Sequence, residues 1–173
     1  MGVVAPGSKL TKQWRITMLK LIIKLLPWNF IWGTEENDVR YGSHDADIIW
    51  GFGGNDWLYG KGGNDWIFGG KGDDHIYGGD GVGAGERGGK GSNVSYDDGD
   101  DYLYGGEGND YIDGENGNDH LYGGDGWGEI YGGEGYDNIY GGAGRDTIDG
   151  GGGADRLYGN NGPDKIYGGE DGD

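Results

Sequence analysis

The chain has 173 residues, 46 of them glycine, with no cysteine and a formal net charge of −18. That length fits one domain, and the missing cysteines exclude a disulfide framework or a thiolate metal site. The acid excess excludes nucleic acid as a partner, because phosphates would be repelled.

The charge divides the chain. Residues 1–32 carry Lys9, Lys12, Arg15, Lys20 and Lys24 and no acid, leaving 8 basic and 31 acidic residues after Trp32, a net of −23. Within this cationic part Leu10, Trp14, Met18, Leu21, Ile22 and Leu25 fall at helical spacing, so residues 9–26 read as an amphipathic helix. Pro27 stops it. Lys20 and Lys24 interrupt the apolar run, so the segment does not suit a bilayer span. It also lacks the apolar core and small-residue cleavage site of a secretory signal. Two roles remain open for residues 1–32, helix and leading strand together. One is a cap over the end of the following domain. The other is contact with a membrane surface through 9–26, with Trp14, Trp28 and Trp32 at the interface.

From Gly33 onward a nine-residue unit recurs without a break in frame. Gly105-Gly106-Glu107-Gly108-Asn109-Asp110-Tyr111-Ile112-Asp113 is a representative copy. Fifteen frames end at Tyr167, and a truncated sixteenth runs from Gly168 to Asp173. Such a period fixes the architecture before any other reading. The sixth place holds Asp38, Asp47, Asp56, Asp65, Asp74, Asp101, Asp110, Asp119, Asp137, Asp146, Asp155 and Asp164, and Asp173 in the last copy. Gly83, Ser92 and Gly128 are the exceptions. The eighth place is aliphatic except at Arg40 and Gly85, and the first, second and fourth places are mostly glycine.

These preferences have a shared cause. In a strand, alternation puts the eighth place on one face and the seventh and ninth on the other. One inward aliphatic per short strand is the smallest unit that can line a core. The glycine-rich half must be a turn, where positive φ or close backbone approach is needed. Stacked turns of this kind present carbonyl and carboxylate oxygens in rows, as Ca²⁺ requires.

The unit G-G-x-G-x-D-x-(aliphatic)-x resembles the RTX, or hemolysin-type, calcium-binding repeat, and the resemblance covers residues 33–173. It implies an all-β fold, a right-handed parallel β-roll with two nonapeptides per coil. It also implies calcium held between turns by sixth-place aspartates and backbone carbonyls, secretion, and folding driven by calcium. Two repeats per coil stack sixth places at a spacing of eighteen. One file is then Asp38, Asp56, Asp74, Ser92, Asp110, Gly128, Asp146 and Asp164. The other is Asp47, Asp65, Gly83, Asp101, Asp119, Asp137, Asp155 and Asp173. Neighbouring aspartates within the files predict about eight calcium ions.

Frames 78–86 and 87–95 lose the sixth-place aspartate, so residues 78–95 form either a degenerate coil or a loop bulging from the roll. Ninth places are aromatic from Tyr41 to Tyr167 in eleven frames. Tyr104, Tyr122, Tyr140 and Tyr158 should form an outward ladder, with Trp57, Trp66, Tyr102 and Tyr111 beside it. Such a face stiffens the sheet, or offers a surface for self-association or a glycan. Neither H-E-x-x-H nor G-x-S-x-G occurs, and the three histidines are scattered, so no enzyme is expected. The functional expectation is a secreted, extracellular calcium-binding protein with a structural or surface-interaction role, able to pair end to end as a filament. The alternative is the calcium-binding secretion module of a larger toxin or secreted hydrolase or epimerase.

Overall fold

The computed structural model describes residues 28–79 and 99–170. The expected helix over 9–26, most of the stretch 78–95 and Asp173 lie outside the described residues. Fourteen strands follow one another: β1 (Asn29–Thr34), β2 (Val39–Tyr41), β3 (Asp47–Gly53), β4 (Trp57–Tyr59), β5 (Trp66–Lys71), β6 (His75–Tyr77) and β7 (Tyr102–Glu107), then β8 (Tyr111–Asp113), β9 (His120–Gly126), β10 (Glu129–Glu134), β11 (Asn138–Gly144), β12 (Thr147–Gly152), β13 (Arg156–Asn161) and β14 (Lys165–Tyr167). Odd strands form one seven-stranded sheet and even strands the other, each in sequential order. All pairings are parallel, so the described chain is an all-β solenoid of about seven coils, two repeats to a coil.

Five strands span only the seventh to ninth places, and the other nine run on into the start of the next repeat before the chain turns toward the opposite sheet. The eighth places stack in register, for example Ile49 on Ile67 and Ile130 on Ile148. Ten of them, from Ile49 to Ile148, are completely buried and make up the core. Each contributes roughly 2 kcal/mol by burial. One aliphatic per nine residues is a thin core, so the turns must carry part of the stability.

Register departs from eighteen at one place. Trp66 pairs with Tyr102 and His75 with Tyr111, both 36 residues apart, so β5 lies directly against β7 and β6 against β8. The skipped length equals one coil. Because eighteen is even and spans two whole repeats, the skip preserves which side chains face inward.

The outer face of the odd sheet carries seven stacked rings. Trp32, Trp50, Phe68, Tyr104, Tyr122, Tyr140 and Tyr158 lie with successive centroids 4.7–5.3 Å apart and planes within 13°. The stack starts at Trp32, before the first complete repeat, because β1 supplies the odd strand of the first coil. On the even sheet Tyr41, Tyr59 and Tyr77 stack in the same way. Asp113 then takes the ninth place and ends that run.

Candidate metal centre

The turns hold two files of sixth-place aspartates, one along each edge of the solenoid. Asp47, Asp56, Asp65, Asp74, Asp101, Asp110, Asp119, Asp137, Asp146 and Asp155 are buried, most of them completely. Asp38 and Asp164, in the first and last of the described coils, are half-buried. The backbone explains the inward aim. Each buried carboxylate except that of Asp47, in the first coil, accepts a hydrogen bond through Oδ1 from the backbone N–H of the sixth-place residue one coil earlier. Asp47 N–H donates to Asp65 at 2.8 Å, Asp56 N–H to Asp74 at 2.8 Å and Asp137 N–H to Asp155 at 2.9 Å.

The 36-residue step repairs both files. Asp65 N–H donates to Asp101 Oδ1 at 2.7 Å, and Asp74 N–H to Asp110 Oδ1 at 2.9 Å. The gaps expected at Gly83 and Ser92 therefore do not separate these aspartates. Nine neighbouring pairs result among the described residues. Only Gly128 interrupts, and its N–H still donates to Asp146.

The second carboxylate oxygen is different. The Oδ2 atoms of Asp56, Asp65, Asp74, Asp110, Asp137 and Asp146 are buried and lack a hydrogen-bond partner within the protein. A buried carboxylate oxygen left in this way is costly unless a cation satisfies it. Each such Oδ2 sits over the first-place glycine of its own turn. A Cβ on Gly51 would run into Asp56 Oδ2 and the carbonyl oxygen of Gly69, and Gly60 stands in the same relation to Asp65 and Gly78. The first place is glycine because this cradle is occupied by oxygens, whereas second-place Gly124 and fourth-place Gly126 are needed for their φ of 104° and 133°.

Burial raises these carboxyls well above the ordinary 3.8. Asp65 is pushed to about 8, Asp74 and Asp137 to about 7 and Asp110 to about 6. Desolvation is the leading cause in all four, and the accepted backbone hydrogen bond opposes it. Nearby carboxylates add to the rise. Asp56 and Asp146 move the same way. A site that resists holding negative charge alone is one that a cation would relieve.

Among the described residues no three of His, Asp and Glu converge closely enough to cage a metal by side chains alone. The donor set available is carboxylate oxygen from neighbouring coils together with backbone carbonyls of the glycine turns. These are hard oxygen ligands, suited to calcium rather than zinc. His75 and His120 lie on opposite sheets, stacked on Trp57 and Tyr102.

Fold and site define a class: a parallel β-solenoid whose turns present stacked, buried aspartates. The profile of the RTX calcium-binding nonapeptide repeat matches residues 28–55, 50–83, 95–127, 122–157 and 149–173, and the chain belongs to that family. Among curated proteins no match to the chain is found.

Proposed function

We propose that this chain is a secreted, non-enzymatic protein that winds into a right-handed roll on binding calcium and then serves as a structural or surface-contact element. The observation that carries the reading is the row of buried, unsatisfied Oδ2 atoms at coil spacing. Calcium would be held by Asp47, Asp56, Asp65, Asp74, Asp101, Asp110, Asp119, Asp137, Asp146, Asp155 and Asp164 with carbonyls of the adjoining turns. When bound it supplies positive charge that satisfies oxygens the protein leaves bare. The residues do the rest: Oδ1 ties each coil to its predecessor, and the aliphatics exclude water. Binding free energy then becomes folding free energy. Many-site coordination of this kind is filled at the millimolar calcium of extracellular fluids, which supports secretion. The right hand is the one that twisted parallel strands favour in crossovers.

Circular dichroism in millimolar calcium and in EGTA tests the reading. A β-rich spectrum only with calcium is expected, and an identical β-rich spectrum in EGTA at neutral pH would sink it. The seven-ring ladder is the proposed contact face, for a second copy or a glycan. Tyr122→Ser with Tyr140→Ser should abolish self-association in sedimentation or retention on polysaccharide. If both survive, the ladder is only a stiffener.

A further inference from the structure

We infer that Arg40 is a built-in cation standing in for calcium at the start of the first aspartate file, so that Asp38 holds no metal. This rests on the calcium reading above and adds to it where the metal is not needed.

Arg40 occupies an eighth place, the position filled by a buried aliphatic in ten described repeats. It lies in register with Leu58 of the next coil. Its guanidinium Nη2 meets Asp38 Oδ1 at 2.6 Å. Its Nε donates to the Trp32 carbonyl at 2.9 Å and Nη1 to the Val39 carbonyl at 3.1 Å. The other oxygen, Asp38 Oδ2, accepts from Thr34 N–H at 2.6 Å and from the Thr34 hydroxyl at 2.8 Å. Both oxygens are thus satisfied by the protein. In the next coil Asp56 has Oδ1 bonded to the Asp38 N–H at 2.8 Å, while its Oδ2 is buried without a partner.

The turn around Asp38 departs from the others in the same direction. Second and fourth places are Thr34 and Glu36 instead of glycine, and the Thr34 hydroxyl caps the Glu36 N–H at 3.1 Å. The sister turn of this coil provides an internal control. Ser43 there repeats the threonine's role, bonding Asp47 Oδ2 and capping the Asp45 N–H. No arginine reaches Asp47, and its Oδ1 remains buried without a partner. Arg40 is therefore what separates a turn that closes on itself from one that still presents an oxygen.

The chemistry favours arginine for this task. Guanidinium is always charged and presents a planar fork of donors, so it can serve one carboxylate and two carbonyls together. Among the described residues this first coil has a neighbour on one side only, and a terminal repeat needs a polar outer face. At the far end Ile166 sits at an eighth place and is 47% exposed. Arg40 instead stands in register beside Leu58 while its charge neutralises Asp38. The Asp38 turn can then close without metal and act as a template for the calcium-dependent turns.

The test counts ions on the full chain at saturating calcium by native mass spectrometry. Asp38→Asn should retain the wild-type number, whereas Asp65→Asn should lose at least one ion. In the same buffer Asp38→Asn and Arg40→Met should each lower the melting temperature, and the double variant should fall no further than the worse single one. An ion lost from Asp38→Asn, or additive losses in melting temperature, overturns the inference while leaving the calcium reading intact. A wild-type chain that binds no calcium overturns both. Anomalous scattering from crystals of the calcium-loaded wild type decides the matter without any variant. An ion between Asp38 and Asp56 refutes the inference, and none there with ions between later pairs supports it.

Discussion

Acid should wind this protein in the absence of calcium. Consider the chain in EGTA, taken from pH 7.5 down to about 4.5. Asp65, Asp74, Asp137 and Asp110 have folded-state values of about 8, 7, 7 and 6 against an ordinary 3.8. Raised values mean that the folded state binds more protons than the unfolded chain across this window. Stability therefore falls as pH rises from near 4 toward 8, and is regained on acidification. At roughly 1.4 kcal/mol per pH unit per group, the four together disfavour the metal-free coil at neutral pH by on the order of 10 kcal/mol. That is comparable with the whole stability of an ordinary domain. In EGTA the far-ultraviolet signal should be that of an unwound chain at pH 7.5 and gain β character as the pH drops below about 6. In calcium it should be β-rich at pH 7.5 and weaken in acid, where protons compete with the ion. Because the sequence isoelectric point is near 4.2, sedimentation must accompany the spectra to separate winding from aggregation. A β-rich spectrum at pH 7.5 in EGTA that does not change on acidification would refute the reasoning.

Other outcomes follow from named contacts. Deleting residues 80–97 converts every 36-residue pairing to eighteen and should leave the calcium-dependent spectrum unchanged. Loop closure that no longer opposes folding should raise the melting point, by about 1–3 kcal/mol of stability. Gly126→Ala should cost at least roughly 3 kcal/mol, or prevent winding in calcium, since Gly126 has φ 133° and its Cβ would strike the Gly108 carbonyl. Ile112→Ala removes a fully buried core side chain and should cost about 2–5 kcal/mol in calcium melts. Lys61→Gly should stabilise by about 0.5–1 kcal/mol, because Lys61 has φ 84° at a second place where most repeats use glycine.

Much of this protein was legible before any coordinates, and the reason is periodicity. A nine-residue unit assigns each place a face, so the core residues Ile49 to Ile148 and the aspartate files follow from counting. Histidines on opposite sheets and the ladder from Tyr104 to Tyr158 follow from the same alternation. What counting could not decide is anything that a shift of one whole coil leaves unchanged. Pairing Trp66 with Tyr102 keeps every side chain on its face as well as a step of eighteen would. Only the packed structure shows that Asp65 meets Asp101 and that Asp74 meets Asp110. The same limit applies to end effects. The pattern marks Arg40 as an exception but not as the partner of Asp38, since that contact depends on how the first coil brings Arg40, Trp32 and Asp38 together. It likewise marks the first place as glycine without saying that a carboxylate oxygen fills the room a side chain would need. The repeat thus determined which residues face the core and which face the turns, because local alternation is enough for that. The tertiary structure decided which coils touch and which carboxylates are left bare, because those depend on contacts eighteen or 36 residues away.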